Sequence, residues 1–233
     1  MIQLPQSIHF SSPENLEEVA RIIARHGRFT LFVRDNESLG LARRHFSCES
    51  ILCPDMAFFI GPIARPRKPN VDVLCLLRTD IEKVELTEHL DLGPNIRVAD
   101  WLGEPKAELH ISRILGAAEA VAAQGPDAMR FGVFKAAAAA RVRRGTRLLA
   151  SGRAVVTDRL HSHILSLLLG IPHAVLDNSY GKVGRFISCW TSPSAVTHRC
   201  TSLGSAVSWA RAQAGDEPAR RPPLPQAANR AGH

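Results

Sequence analysis

Residues 154–184 constrain the fold of this chain more than any other stretch. Residues 154–157 (AVVT) are a short apolar run of mostly β-branched side chains, which predicts a buried strand. A helix follows, because apolar side chains recur at spacings of three and four, and it ends at Gly170 and Pro172. Residues 174–176 (AVL) predict a second strand. Strand, helix and strand at this spacing make a βαβ unit, whose crossover is almost always right-handed.

The first strand of this unit leads into residues that can bind and activate a ligand. Asp158, Arg159 and His161 follow it directly, and ligands of parallel α/β sheets bind beyond the carboxyl ends of the strands. We expect Arg159 in the first turn of the helix. Free backbone N–H groups, the positive end of the helix dipole and the guanidinium would favour an anion there. His161 would lie close enough to exchange a proton with that anion.

The second strand of the unit is followed by a polar turn. This turn contains Asp177, Asn178 and, a few residues on, Lys182. Such turns often do no more than reverse the chain. Here the turn would lie at the same edge of the sheet as Arg159, and Lys182 could contact a phosphate there. We therefore expect these three residues to line a cleft.

Arg78 and Arg34 follow two further apolar runs. Residues 71–77 predict a strand that ends at Arg78, at the same edge of the sheet, although this arginine could instead pair with an acid two or four residues further on. Residues 29–33 predict a strand that ends at Arg34, which we expect on the opposite side of the cleft. Asp55 has a similar place after a third apolar run.

Several of these residues also have an interpretation without a ligand. Arg159 and His161 could be a surface arginine and a core histidine at the start of a helix, and the residues alone do not decide between the two interpretations. His163 lies two positions beyond His161 and faces elsewhere, which favours a structural role. A cluster of four arginines on a predicted helix is typical of a solvated face, with contact to anionic lipid or polymer as the less common alternative: Arg141, Arg143, Arg144 and Arg147.

Alternating β and α patterns divide the chain into two regions. Residues 1–62 predict three strands and two helices, which make an incomplete Rossmann-like domain. Residues 63–70 are rich in proline and basic residues and predict a linker. Residues 71–214 predict a second Rossmann-like domain, and residues 215–233 predict a disordered tail. The predicted fold class is α/β, with two Rossmann-like domains around a cleft and the first domain incomplete.

The charge of the chain favours an anionic partner. Lys and Arg number 29 against 22 Asp and Glu, a net charge of +7, which suits an anionic ligand, nucleic acid or an anionic membrane surface. There are only three Trp and one Tyr, and no stripe of alternating basic and aromatic residues. This composition argues against a stacking platform for single-stranded nucleic acid.

The cysteines and the hydropathy of the chain bear on its cellular compartment and on whether it binds a metal. The five cysteines are odd in number, and their spacing fits neither a zinc site nor a disulfide scaffold. Cys53 and Cys75 lie in apolar runs and are predicted to be buried, which favours a reducing compartment. No metal-binding cluster is evident, so we expect no required metal. No apolar run reaches transmembrane length, and the first residues lack the pattern of a signal peptide.

Several short motifs resemble, in the same order, those of the polysaccharide pyruvyl transferase family. They are LPQSIHF, LFVRDNESL, LCPDMAFF, LCLLRTDIE and TDRLHSHILSLLLGIPHAVLDNSYGKV, and they cover most of residues 2–190. The resemblance implies two Rossmann-like domains arranged as in GT-B glycosyltransferases. It also implies the transfer of the enolpyruvyl unit of phosphoenolpyruvate to two hydroxyls of one sugar, with release of phosphate and formation of a cyclic ketal.

The resemblance also implies roles for the residues at the strand ends. His161 would act as acid and base, and Arg78 and Arg159 would hold the anionic groups and stabilise the departing phosphate. The expected substrate-binding residues are Arg78, Arg159, Leu160, His161, Asp177, Asn178, Lys182 and Arg34. No cofactor is implied beyond phosphoenolpyruvate as the donor substrate. The expected partners are this donor and a sugar acceptor, either an oligosaccharide or a lipid-linked repeat unit, in the cytoplasm or at the inner face of the cytoplasmic membrane, and no nucleic acid.

One departure from the family pattern keeps alternatives open. Family members usually carry further βα units ahead of the LPQS-type strand, including a glycine-rich loop with an acidic residue, and this sequence does not contain them. We therefore expect the chain to bind phosphoenolpyruvate more readily than it pyruvylates a sugar. A nucleotide-sugar glycosyltransferase of GT-B fold is one alternative. A non-catalytic remnant that binds an anion or a partner protein is the other.

Overall fold

The computed structural model describes residues 1–78, 95–101, 106–177 and 181–215 of the chain. The predicted site residue Asn178 and the predicted tail beyond residue 215 lie outside these ranges. Among the described residues, no helix is both long enough and apolar enough to cross a lipid bilayer.

The first part of the chain forms a three-stranded parallel sheet in the order β1-β2-β3. Its strands and the two helices that connect them are β1 (Ile2–Gln6), α1 (Pro13–His26), β2 (Thr30–Val33), α2 (Asn36–His45) and β3 (Glu49–Leu52). Since parallel strands need a crossover connection, the helices pack on the sheet and supply its core. Ile23 of α1 and Ala42 of α2 pack with Leu31 and Val33 of β2.

Side-chain caps explain where these two helices begin. The Ser12 side chain accepts a hydrogen bond from the Asn15 N–H at the start of α1. Asp35 does the same for the Ser38 N–H at the start of α2, over 2.8 Å, and is fully buried. Each cap satisfies a backbone donor that the first helical turn leaves without a partner. Asp35, the residue after Arg34, therefore has a structural role as a helix cap.

The second part of the chain forms a five-stranded parallel sheet in the order β5-β4-β6-β7-β8. Its strands are β4 (Val71–Leu76), β5 (Ile96–Ala99), β6 (Gly152–Thr157), β7 (His173–Leu176) and β8 (Thr197–Cys200). The associated helices are α3 (Lys106–Gln124), α4 (Met129–Leu149), α5 (Leu160–Leu168), α6 (Lys182–Phe186) and α7 (Leu203–Gly215).

The central strands of this sheet are buried on both faces. On β6, Val155 packs in one apolar cluster with Ile164 of α5. Its neighbours Ala154 and Val156 point to the other face and pack with Val207 of α7. A parallel strand covered on both faces has apolar residues at consecutive positions rather than alternate ones, and the AVVT run that predicted this strand has that pattern.

The segment predicted as a linker packs against the second sheet. The Ile63 N–H donates a 2.8 Å hydrogen bond to the Leu168 carbonyl at the end of α5, and the Ile63 side chain packs against the core next to α5. Arg65 donates to the Gly152 carbonyl at the start of β6. The division into a partial first domain, a linker and a second domain stays a prediction.

Several expectations about local structure are corrected. Arg159 precedes α5 as its N-cap, with an extended backbone (φ −110°, ψ 126°), rather than lying in its first turn. Lys182, predicted as part of a polar turn, begins α6, and a π-helical turn, Ile187–Thr191, follows this helix. The edge strand β8 was not predicted, because its four residues carry no apolar alternation. Cys75 is buried as expected, but Cys53 is only half-buried.

Candidate active site

Polar side chains join the carboxyl ends of β4 and β6. Thr157 Oγ1 donates to the Leu76 carbonyl over 2.8 Å. Both carboxylate oxygens of Asp158 accept from the Arg78 N–H, at 3.0 and 3.1 Å. Burial raises the pKa of Asp158, and the hydrogen bond from the Arg78 backbone opposes that shift. These bonds place Arg78 and Arg159 at neighbouring strand ends.

Arg159 is held by an acid that follows β5, two strands away in the sheet. Asp100 follows β5 directly, and its Oδ1 lies 2.5 Å from Nη2 of Arg159. Both side chains are largely buried. The Arg159 N–H donates to Thr157 Oγ1 over 3.2 Å. The ion pair therefore fixes the guanidinium at the sheet edge, while the backbone of the same residue begins α5.

Asp55 connects the two sheets. Its Oδ2 lies 2.5 Å from Nη1 of Arg34, which follows β2, and 3.6 Å from Nε2 of His161 at the start of α5. Its Oδ1 accepts from the Ala57 N–H over 2.9 Å. Although burial alone would raise the pKa of this carboxyl, its contacts with His161, Ala57 and Arg34 hold the pKa well below its usual range. Asp55 is therefore an ionised carboxylate at neutral pH.

Arg34 is positioned from both sides. Its Nε donates to Ser7 Oγ over 3.0 Å, within the first part of the chain. Its carbonyl accepts a 2.8 Å hydrogen bond from the indole Nε1 of Trp190, which lies in the π-helical turn after α6. A second link between the same regions joins Arg185 Nη1 to Glu37 Oε2 over 2.8 Å. These bonds bring the end of β2 against the second sheet.

These side chains surround a cavity of about 270 Å³. Its lining residues come from the ends of β2, β4, β5 and β6 and from the starts of α5 and α6: Arg34, Arg78, Trp101, Arg159, Leu160, His161, Ser162, Lys182 and Val183. Four of these nine residues are Lys or Arg and none is Asp or Glu, so the cavity surface favours an anion. Asp55 and Asp100 hold the basic side chains without belonging to the lining.

The structure brings six of the eight predicted site residues together. Arg34, Arg78, Arg159, Leu160, His161 and Lys182 all line the cavity. Asp177 is not among the lining residues. Its carboxylate accepts from the Gly184 N–H at 3.1 Å and lies 3.9 Å from Nη2 of Arg199. Asn178 lies outside the described residues, as do Asp80 and Glu82, and the role assigned to each site residue stays a prediction.

Sequence reasoning undervalued two acids of this site. Asp55 was noted only for its place after an apolar run, like Arg34, and Asp100 was not considered. Both follow a parallel strand, at the same kind of position that identified Arg159. That signal was present for both residues, but nothing local indicated that either acid would meet a basic side chain from a distant strand end.

The described residues contain no group of three or more His, Cys, Asp or Glu side chains that could hold a metal ion. The expectation that the protein requires no metal stays a prediction, because it concerns the whole protein and its substrates.

The family of the chain follows from its sequence as a whole. A profile of the polysaccharide pyruvyl transferase family matches residues 1–180. The chain belongs to this family. This match confirms the resemblance of the separate motifs over more than half of the chain. The matched residues include the cavity residues from Arg34 to His161.

Two curated relatives carry a pyruvyl transferase name. Pyruvyl transferase 1 of Schizosaccharomyces pombe is 35% identical over 212 residues, which are 88% of this chain and 49% of that protein. The EpsO protein of Bacillus subtilis is 29% identical over 196 residues, which are 82% of this chain and 59% of that protein. The chain therefore spans about half the length of these relatives.

A solved structure supports the fold. The crystal structure of a functionally uncharacterized protein from Klebsiella pneumoniae superimposes with a TM-score of 0.51 at 17% sequence identity. The match covers 86% of this chain and 63% of that one. It supports a mixed α/β fold with parallel sheets, of the Rossmann-like kind, as the sequence predicted.

Proposed function

We propose that the protein transfers the enolpyruvyl unit of phosphoenolpyruvate to one sugar of a bacterial exopolysaccharide, or of its lipid-linked precursor, and forms a pyruvate ketal. The observation that carries this proposal is the cavity, in which Arg34, Arg78, Arg159 and Lys182 lie around His161. Membership of the polysaccharide pyruvyl transferase family supports the choice of reaction.

The donor in this proposal carries two anionic groups, a phosphate and a carboxylate. Arg78 and Arg159 lie at adjacent strand ends and would bind them through planar, two-pronged contacts. A guanidinium presents its five N–H donors in a fixed planar fork, and the ion pair with Asp100 orients that of Arg159. The backbone N–H groups of the first turn of α5, at Leu160 and His161, add a positive dipole end.

The proposed reaction balances without a cofactor or a metal. A proton is added to the methylene carbon of phosphoenolpyruvate, which becomes a methyl group and gives the neighbouring carbon oxocarbenium character. One sugar hydroxyl adds to that carbon and loses its proton. A second hydroxyl of the same sugar then adds to that carbon, and the bond between the carbon and the bridging phosphate oxygen breaks. Phosphate leaves with the second proton. One of the two hydroxyl protons thus ends on the methyl group and the other on phosphate.

His161 is the proton carrier in this proposal. It lies among the arginines of the cavity, and its side chain is 63% exposed, so a substrate can reach it. Nε2 faces the ionised Asp55 at 3.6 Å, which orients the imidazole, as a carboxylate does for the histidine of other acid–base sites. Arg34 pairs with the same carboxylate oxygen, Oδ2.

The acceptor sugar would bind on the side of the first sheet, in a GT-B-like arrangement of two Rossmann-like domains. Arg34 is the cavity residue contributed by that sheet. Lys182 lines the same cavity from the start of α6 and would contact the phosphate. The proposed place of action is the cytoplasm or the inner face of the cytoplasmic membrane, where a lipid-linked precursor is accessible.

Donor binding is the first test of this function. Phosphoenolpyruvate at about a hundred times its dissociation constant should stabilise the protein by about 2.7 kcal/mol, measured as a rise in Tm. Arg159→Ala should abolish this rise. The matched control is Arg153→Ala, which removes an exposed arginine at the opposite end of β6, whose Nε lies 3.3 Å from Oδ1 of Asp72. An equal rise in Arg159→Ala and in the control would remove Arg159 from the site.

Ligand-induced stabilisation and phosphate release together distinguish the alternatives. Stabilisation by a nucleotide sugar and none by phosphoenolpyruvate would indicate a glycosyltransferase instead. Stabilisation by phosphoenolpyruvate without phosphate release, across a panel of bacterial oligosaccharides, would indicate a protein that binds the anion without transferring it. Acceptor-dependent phosphate release is the result that the proposal requires.

A further inference from the structure

Helices α3 and α4 form a hairpin whose interior consists of small residues. A Cβ added to Gly116 would clash with the backbone of Gly132, and a Cβ added to Gly132 would clash with the backbone of Gly116. The two helices therefore approach each other closely along this line, with Ala120 and Ala136 beside the glycines. Because the interior has no room for large side chains, the large apolar residues of the hairpin lie elsewhere.

Several large apolar side chains of the hairpin are exposed. Ile111, Ile114 and Leu115 recur at helical spacing on α3, and Phe131 and Phe134 do so on α4. Their exposed fractions range from 58% to 69%. Half of the large apolar side chains that are exposed within the described residues lie between residues 106 and 149. An apolar surface of this kind usually marks a site of interaction.

The same hairpin carries most of the net positive charge of the chain. Residues 106–149 contain eight Lys or Arg and three Asp or Glu, which gives +5 of the total +7. Apolar and basic side chains share one surface, since Leu115, Phe131, Lys135 and Arg143 line the same groove along the hairpin. The partner must therefore accept both apolar insertion and cations.

We propose that this hairpin binds the surface of an anionic lipid bilayer, with Phe131 and Phe134 inserted among the acyl chains and the Lys and Arg side chains at the headgroups. Aromatic and aliphatic residues beside Lys and Arg are the pattern of helices that lie in the bilayer interface. A second copy of the chain fits less well, because two hairpins of the same positive charge repel each other. The site described above takes no part in this inference.

Vesicle sedimentation with the full chain tests the proposal. The protein should bind vesicles of phosphatidylglycerol and phosphatidylcholine, bind phosphatidylcholine vesicles at least about tenfold less, and lose binding as salt is raised. Phe131→Ser with Phe134→Ser, and separately Lys135→Glu with Arg143→Glu, should each lower the partition coefficient about tenfold. The second variant replaces exposed charges alone, so it decides the outcome if the first does not fold, as judged by circular dichroism.

Matched controls come from other surfaces of the chain. Phe59→Ser removes an aromatic side chain that is 89% exposed, and Arg21→Glu with Arg25→Glu reverses two exposed charges on α1. Both should bind vesicles within about twofold of the wild type. Equal losses in the control and hairpin variants would overturn the proposal. So would a soluble dimer that the Phe131 and Phe134 changes convert to a monomer, or binding to polyglutamate in the absence of vesicle binding.

Discussion

Helix α5 places two histidines in opposite surroundings. His161 lies at its start, 63% exposed, in the cavity and 3.6 Å from Asp55. His163 lies two residues on, fully buried, with Nδ1 2.8 Å from Nε2 of His173 and Nε2 2.9 Å from Thr191 Oγ1. Two positions turn a helix by about 200°, so the two rings point to opposite sides. The difference teaches that residue type alone does not identify the histidine able to carry protons to a substrate.

The hydrogen bonds of the buried pair assign its tautomers. His173 Nδ1 lies 2.8 Å from the Ile171 carbonyl and must donate to it, since a carbonyl only accepts. His173 Nε2 then accepts from His163 Nδ1, and His163 Nε2 accepts from the Thr191 hydroxyl. Burial lowers the pKa of His173 to about 4 and, together with the nearby His173, lowers that of His163 well below its ordinary value. Both rings are therefore neutral at pH 7.

The largest effect should come from the buried histidine. His163→Ala should lower the free energy of unfolding by about 3 kcal/mol, because it leaves a cavity and deprives Thr191 and His173 of a buried hydrogen-bond partner. Urea unfolding measures the change. His161→Ala is the matched control and should change stability by no more than about 0.5 kcal/mol, since its side chain is exposed. Equal losses from the two variants would contradict the contrast between the rings.

The exposed histidine should show the opposite pattern. His161→Asn should lower turnover roughly a hundredfold or more, because Asn cannot carry the proton, and should leave the phosphoenolpyruvate-induced rise in Tm in place. Phosphate release in the presence of acceptor oligosaccharide is the measurement. His45→Asn, which changes an exposed histidine at the end of α2, is the control. Near-normal turnover in His161→Asn would leave the ring without a role in proton transfer.

A further effect concerns the pH dependence of stability. The unfolded chain binds protons at His163 and His173 below about pH 6.5, whereas the folded protein keeps His173 neutral down to about pH 4. Stability should therefore fall as the pH is lowered from 7 towards 5, by up to about 1.4 kcal/mol per pH unit for each such proton. Asp55 adds nothing in this window, because it is ionised in both states. Urea unfolding at several pH values measures this dependence. His161→Asn should lose stability with falling pH to the same extent as the wild type. A wild-type stability that does not change between pH 7 and pH 5 would contradict the prediction.

Local sequence pattern was sufficient for most elements of the fold. The apolar runs at residues 154–157 and 174–176 predicted β6 and β7, because a strand buried on both faces needs consecutive apolar side chains. The strand β8 escaped prediction, because at the edge of the sheet its residues Thr197–Cys200 need no such run. The π-helical turn after α6 also escaped, because apolar spacing does not distinguish it from an α-helix.

The sequence by itself determined which polar residues follow strand ends: Arg34, Asp55, Arg78, Asp100, and Asp158 to His161. Because strand carboxyl ends in a parallel sheet lie along one edge, this was enough to predict a site there. Only the tertiary structure decided which of these residues meet. Asp100 and Arg159 are 59 positions apart, and Asp158 and Arg78 are 80 apart. They come together because β4 lies between β5 and β6, and strand order is set by packing of the whole sheet, which no local periodicity encodes.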